Sequence, residues 1–161
     1  MEALDGLNKL IQDFIDDGAF PGANYVLVVG DKTYYGSFGN KALYPNVEKN
    51  DIDTVYDMAS VSKVVSTTSC ILKLMEAGKI RLYSKVSSYL PRFKHENITI
   101  FNLMTHTSGM QEGISNCTTA TSKEEVLDRL YSYDLKYEPG KQIIYSDYQN
   151  HIGIKIGTVK K

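Results

Sequence analysis

An apolar segment with the periodicity of an α-helix follows Ser60, and it constrains the fold more than any other feature of the chain. Apolar side chains and one threonine recur there at steps of three and four residues, at Val61, Val64, Val65, Thr68, Ile71, Leu72 and Met75. This spacing predicts a helix that ends at Gly78. Because few polar residues interrupt the segment, we expect the helix to be buried, with Cys70 as a small core residue.

Ser60 and Lys63 lie three residues apart at the start of this helix. Residues at this spacing share a face, so the lysine amine can approach the serine hydroxyl. Two interpretations of Ser60 remain open. It either caps the helix, or it is a nucleophile placed where helix N–H groups stabilise an oxyanion. Lys63 favours the nucleophile, because an ammonium in the first turn of a helix opposes the helix dipole and needs a functional reason.

Three segments together resemble the penicillin-recognising serine hydrolases. Ser60-Val61-Ser62-Lys63 resembles their active-site motif, most closely that of the class C β-lactamase-related branch, with its D-alanyl-D-alanine carboxypeptidases and esterases. Leu103-Met104-Thr105-His106-Thr107-Ser108-Gly109-Met110 resembles that branch's Leu-Leu-Thr-His-Thr-Ser-Gly-Leu segment. Tyr145-Ser146-Asp147 stands where the family carries Tyr-x-Asn, so the resemblance extends from Phe20 to about Asn150.

This resemblance implies an α+β fold of the β-lactamase/transpeptidase type, with a mostly helical lobe and an N-terminal antiparallel hairpin of an incomplete sheet. It also implies Ser60 as the nucleophile, with Lys63 and Tyr145 jointly as the acid/base pair. Either a neutral Lys63 amine or a Tyr145 phenolate held by Lys63 would take the serine proton. The alternative for Tyr145 is an ordinary core tyrosine, one of twelve in the chain.

Asp147 is the first departure from the family pattern that affects the chemistry. An asparagine amide can donate a hydrogen bond to a substrate carbonyl, whereas an ionised aspartate only accepts hydrogen bonds. As a substrate-binding residue, Asp147 would repel anionic substrates, and by pairing with Lys63 it would raise the pKa of that amine. Esterase or peptidase-like activity is therefore favoured over β-lactamase activity.

The third motif of the family, Lys-Thr-Gly or a relative, is not found on a cleft strand. Lys155-Ile156-Gly157 has similar letters but begins eight residues after Asp147, where we predict a helix. We therefore expect residues 1–161 to be the N-terminal portion of a single β-lactamase-related serine hydrolase domain. By resemblance, the Ser60 amide would then lack the second oxyanion donor, and we predict weak or no turnover for this chain alone.

Local patterns predict the remaining elements. We expect a first amphipathic helix from Leu4 to Asp17, a buried strand over 24–30 and a second strand over 33–39 that completes a hairpin. A loop over 41–53, a short strand over 54–57, a short helix over 86–90 and a polar loop over 111–121 follow. Thr99 and Ser122 are the predicted N-caps of two further helices.

His106 invites a catalytic interpretation, but no carboxylate nearby in the sequence would orient it as a triad base. A structural role is therefore predicted for His106. The three histidines and two cysteines have no metal-ligand spacing, so neither a metal nor another cofactor is expected. Cys117 falls in the polar loop, and no disulfide with Cys70 is supported.

Composition narrows the possible partners. A net charge of −1 argues against nucleic-acid binding, and hydrophobic and charged fractions of 42% and 23% are ordinary for a soluble globular domain. No segment approaches membrane-spanning length, and the acidic N-terminus does not resemble a signal peptide, so a cytoplasmic location is expected. The expected partner is a small-molecule or peptide substrate, and the free hairpin edge could support self-association.

Two functional hypotheses follow. The first is a serine hydrolase of the β-lactamase-related type that forms an acyl-enzyme on an ester, an amide or a D-alanyl-type peptide. The second is a non-catalytic remnant or interaction module that keeps the helical lobe without the chemistry. Covalent labelling of Ser60 separates them.

Overall fold

The computed structural model describes residues 2–112 and 119–158. The chain forms two structural units, and the first consists of a helix and a small antiparallel sheet. The first unit ends at Asp57 and the second begins at Met58. In the first unit, helix α1 (Glu2–Asp16) is followed by strands β1 (Gly22–Val29), β2 (Lys32–Ala42) and β3 (Glu48–Lys49). The predicted first helix and hairpin are thereby confirmed.

The sheet has the strand order β1-β2-β3, and both pairings are antiparallel. In the hairpin, Gly22 lies opposite Gly39 and Val29 lies opposite Lys32. The predicted loop over 41–53 is partly wrong, because β2 extends to Ala42 and pairs with β3 across an irregular register.

Two further predictions for the first unit are wrong. β1 is not a buried strand, because Val26, Val28 and Val29 are each more than half exposed. The observed contacts between α1 and the sheet involve Tyr25 and Gly39, so the helix covers the end of the hairpin away from its turn. The predicted strand over 54–57 is absent from the described sheet, and the chain instead turns at Asp51, whose carbonyl accepts the Thr54 amide.

The second unit is helical. A π-helical segment (Lys63–Thr68) continues into α2 (Ser69–Glu76), and a 3₁₀ turn (Val86–Ser88) stands where a short helix is predicted over 86–90. The helices α3 (Ile100–Met104), α4 (Lys123–Ser132) and α5 (Asp147–Gly157) follow. The predicted N-caps are confirmed, since the Thr99 hydroxyl accepts the Asn102 amide and the Ser122 hydroxyl accepts the Glu125 amide.

The core of the second unit lies where α2, α3 and α5 meet. Its most deeply buried apolar side chains are Ile71, Val86, Ile98, Ile100, Met110, Tyr148, Ile152 and Ile156. Lys155-Ile156-Gly157 is the C-terminal end of α5, as predicted, and does not lie on a cleft strand. Ile156, 2% exposed, belongs to this core.

The predicted burial of the helix after Ser60 is wrong. Ile71 is buried, but Val64 and Val65 are 65% and 66% exposed, and Cys70 is exposed as well. Within its unit the helix packs one side against α5, so apolar residues on its other side remain uncovered. Of the predicted polar loop, residues 113–118, and Cys117 with them, lie outside the described residues.

Membrane insertion can be checked from the helices. Among residues 2–112 and 119–158, none of the helices combines the length and the apolar character that crossing a membrane requires.

Candidate active site

Ser60 lies in a turn immediately before the helical segment, as the sequence predicts. The Ser60 carbonyl accepts the Lys63 amide at 3.1 Å, and the side chain of Ser60 is exposed. The preceding residue, Ala59, has a φ of +40°, a left-handed conformation that costs a non-glycine residue about 1–2 kcal/mol. Such local strain concentrates at functional sites, where the surrounding structure maintains it.

Soon after this turn, Lys63–Thr68 forms a π-helix instead of an α-helix. Two side-chain hydroxyls add hydrogen bonds to backbone carbonyls of this segment. Thr68 donates to the Lys63 carbonyl at 3.0 Å, and Ser69 donates to the Val64 carbonyl at 3.3 Å. Short π-helical segments occur frequently at functional sites, and this one carries Lys63.

Lys63 is the centre of the site. Its Nζ lies 2.9 Å from Ser60 Oγ, 2.7 Å from Asp147 Oδ1 and 5.0 Å from the centre of the Tyr145 ring. The side chain is only 16% exposed. Hydrogen bonds that Lys63 donates to Asp147 and then to Tyr145 raise the pKa of the Lys63 amine above its ordinary value, against the opposing effect of burial. Lys63 is therefore an ammonium at neutral pH.

The electrostatic effect on Tyr145 has the opposite sign. Hydrogen bonds from Lys63 and then Ser60 lower the pKa of the Tyr145 phenol below its ordinary value. The same ammonium that cannot accept a proton therefore stabilises a phenolate beside the serine hydroxyl.

Asp147 occupies the first position of α5, directly after the N-cap Ser146. Its carboxylate is 43% exposed and pairs with Lys63. A carboxylate at this end of a helix is favoured by the helix dipole, and its pairing gives Lys63 a permanent counter-charge. The structure thus contains the ion pair between Asp147 and Lys63 that the sequence raises as a possibility.

His106 also belongs to the site, although the sequence analysis predicts only a structural role for it. Its ring centre lies 4.8 Å from that of Tyr145, and its Nδ1 accepts the Ser146 amide at 3.2 Å. Contacts that join residues about forty positions apart leave no mark on local periodicity. No local sequence signal identifies His106 as a neighbour of the tyrosine.

A small cavity of about 40 Å³ adjoins Lys63 and His106. Its lining also includes Thr67 of the π-helical segment and Gln149 and Asn150 of α5. The side-chain oxygens of these three residues are buried and have no hydrogen-bond partner among residues 2–112 and 119–158. The rest of the lining is mostly apolar and includes Ile71, Leu103 and Ile156, so Lys63 borders a small, largely apolar cavity to which a few polar side chains contribute.

All four predicted site residues, Ser60, Lys63, Tyr145 and Asp147, thus lie in the second unit and meet at Lys63. The fold is of the β-lactamase/transpeptidase type, and solved structures agree. A class C β-lactamase aligns with a TM-score of 0.83 at 22% identity, over 99% of this chain and 46% of that protein. A β-lactamase/D-alanine carboxypeptidase from Pseudomonas syringae aligns with a TM-score of 0.79 at 19% identity, over 96% and 44%.

The sequence model of the Beta-lactamase family matches residues 7–153, and the chain belongs to this family. Protein flp of Staphylococcus aureus is 30% identical over 170 aligned positions, which cover 96% of this chain and 33% of that protein. A Salmonella paratyphi B protein, provisionally named a D-alanyl-D-alanine carboxypeptidase, is 27% identical over 91% of this chain and 39% of its own length. The chain thus spans between a third and two fifths of the length of these relatives.

Proposed function

We propose that this chain carries the acylation site of a serine hydrolase that acts on an ester, an amide or a D-alanyl-type peptide. The observation that carries the proposal is the approach of Lys63 Nζ to 2.9 Å from Ser60 Oγ, with the centre of the Tyr145 ring 5.0 Å from the same Nζ. A nucleophile, a cation and a phenol with a lowered pKa on one side of a helix N-terminus are the groups that acyl transfer needs.

In the proposed reaction, the Tyr145 phenolate takes the proton from Ser60 as Oγ bonds to the substrate's acyl carbon. The Ser60 amide, at the N-terminal end of the helix, stabilises the oxyanion that forms. When the bond to the leaving group breaks, Tyr145 returns the proton to the departing oxygen or nitrogen. Water then attacks the acyl-enzyme as Tyr145 takes one of its protons, and Tyr145 returns that proton to Ser60 Oγ as the acyl–oxygen bond breaks, which releases the carboxylic acid and restores the phenolate.

Lys63 acts in this scheme as a fixed charge and not as the base. Its pairing with Asp147 keeps the amine protonated through the whole cycle, so it stabilises the phenolate each time the phenolate forms. A phenolate at neutral pH requires such support, because an unperturbed tyrosine titrates near pH 10.

The charge of Asp147 also bears on the choice of substrate. Its partly exposed carboxylate adds a negative charge beside the reacting serine, which disfavours anionic acyl groups. We therefore propose neutral or cationic esters and amides as the substrate class. Paired p-nitrophenyl esters test this: the neutral butyrate should acylate Ser60 faster than the anionic hemisuccinate, and Asp147→Asn should reduce the difference.

Active-site labelling tests the proposal as a whole. The 161-residue chain is incubated with a fluorophosphonate probe, and the adduct is counted by intact mass and located by peptide mapping. We expect one adduct per chain on Ser60, lost in Ser60→Ala and kept in the matched control Ser62→Ala, whose exposed hydroxyl lies two residues away. A folded protein that forms no adduct at Ser60 would refute the proposal and support the non-catalytic interaction module.

A further inference from the structure

His106 contacts the chain on both sides of Tyr145 as well as the tyrosine ring itself. The His106 carbonyl accepts the amide of Ile144 at 2.8 Å, and His106 Nδ1 accepts the amide of Ser146 at 3.2 Å. Between these two hydrogen bonds, the imidazole and phenol rings lie 4.8 Å apart, centre to centre, with 34° between their planes. Three successive residues are therefore held by a single side chain and its own carbonyl.

The backbone of His106 is adapted to this arrangement. Its φ is +57°, in the left-handed region that residues other than glycine adopt uncommonly, histidine, asparagine and aspartate more often than the rest. In this conformation, the carbonyl and the ring of His106 both contact the tyrosine segment, residues 144–146, through the two hydrogen bonds. A conformation that costs energy is retained when its surroundings determine it.

The hydrogen bond to Ser146 also identifies the protonation state of the ring. A backbone N–H is always a donor, so Nδ1 must carry a lone pair, and the imidazole must be neutral with its proton on Nε2. Protonation of Nδ1 would turn the acceptor into a donor facing another donor. The contact next to Tyr145 can therefore exist only while His106 is uncharged.

We propose that neutral His106 is the positioning residue for Tyr145, and that its protonation releases the tyrosine segment and slows acylation of Ser60. The proposal rests on the proposed function for its effect on acylation, but not for the contact itself. His106 touches no reacting atom and acts through the phenol alone.

The charges around His106 act on its titration in both directions. Burial and then the positive charge of Lys63 on the π-helical segment lower the pKa of His106 below its ordinary 6.5, and Asp147 on α5 raises it. Tyr145, from the segment before α5, is a further titratable group in contact with the ring. Because folding lowers the pKa of this base, its neutral form is complete above pH 6.5 and is lost only as the pH falls through the lowered value.

Two variants separate positioning from simple packing. His106→Ala removes the acceptor and the ring. His106→Asn keeps an acceptor near the position of Nδ1, tolerates a positive φ and does not titrate. His95→Asn is the control, since the His95 ring also bonds the backbone of a distant residue, by donating to the Tyr133 carbonyl, but lies outside the site.

The readouts are the phenol titration of Tyr145, followed by NMR, and the rate of fluorophosphonate labelling between pH 5 and pH 9. In His106→Ala, Tyr145 should titrate nearer its ordinary value of 10.0, and labelling at neutral pH should slow about tenfold to hundredfold. His106→Asn should restore most of the rate and abolish the decline on the acid side. The control should behave as the wild type.

An unchanged Tyr145 titration in folded His106→Ala would overturn the proposal, as would a His106→Asn variant as slow as the alanine variant. If neither variant folds, the test is an NMR titration of the wild-type protein. The Tyr145 ring resonances should then shift with the same midpoint pH as the protonation of His106. Independent midpoints would overturn it. Failure of Ser60 to label at all would refute the proposed function while leaving the titration result interpretable.

Discussion

Replacing Tyr145 by phenylalanine should slow the acylation of Ser60 without unfolding the protein. A general base contributes about a hundredfold to ten-thousandfold to a reaction of this kind. The loss should lie in the upper half of that range, because the other basic group within reach, Lys63, is held as an ammonium by Asp147 at 2.7 Å and cannot accept the proton. We therefore expect a decrease of about a thousandfold.

The fold should tolerate this change because the phenol oxygen faces the site and the ring is half exposed. Phenylalanine keeps the ring that lies against His106. The assay is the second-order rate of fluorophosphonate labelling at neutral pH, followed by intact mass, with thermal unfolding measured in parallel. Tyr83→Phe is the matched control, since Tyr83 is 73% exposed and lies against Phe101, outside the site.

The reasoning fails if Tyr145→Phe labels at nearly the wild-type rate while remaining folded. That result would mean that Lys63 gives up its proton to solvent and acts as the base, despite its pairing with Asp147. A parallel loss in Tyr83→Phe would show instead that the decrease reflects general damage to the protein.

Three further outcomes are expected. Asp147→Asn removes the hydrogen bond that raises the pKa of Lys63, so the amine should deprotonate at a lower pH. The pH above which fluorophosphonate labelling declines should therefore be lower than in the wild type, and an unchanged value would contradict the ion pair. Asn50→Ala should lower the free energy of unfolding, measured with urea, by about 2–4 kcal/mol. The buried Asn50 side-chain amide bonds two backbone carbonyls and the Asn24 amide oxygen, and it accepts the Tyr56 hydroxyl; a loss below about 1 kcal/mol would contradict this. Gly109→Ala should destabilise the protein by about 1–3 kcal/mol more than Gly140→Ala. Both glycines have positive φ, but only at Gly109 would a Cβ meet the Tyr137 carbonyl oxygen, at 2.1 Å; equal losses of stability would exclude the clash.

The elements that the sequence predicts correctly are those with local causes. The hairpin follows from two β-prone segments around a short turn, and the helix caps at Thr99 and Ser122 follow from a hydroxyl three residues before the amide that it accepts. Each of these interactions is complete within a few residues. Sequence patterns therefore contain all the information that such elements need.

Burial is where the sequence-based predictions are wrong, and the reason is that burial depends on distant elements. β1 and the helix after Ser60 are both rich in valine, yet Val28 and Val64 are 64% and 65% exposed. An apolar residue shows only that burial would be favourable, and whether a neighbour covers it depends on the packing of the other helices and strands. The exposed position of Cys70 has the same explanation.

At the candidate site, the sequence predicts the approach of Lys63 to Ser60 and raises the pairing of Lys63 with Asp147, but it leaves open which group is the base. Spacing alone brings Ser60 and Lys63 together, whereas the choice between amine and phenol as the base depends on what else reaches Lys63. Asp147 is 84 residues away in sequence and 2.7 Å away in space. Its carboxylate keeps the proton on the amine, and that charge in turn lowers the pKa of Tyr145. In the proposed mechanism, an aspartate where the family usually has asparagine does more than alter substrate contacts, because it would hold Lys63 in an electrostatic role and leave the proton transfer to Tyr145, which we propose that His106 positions.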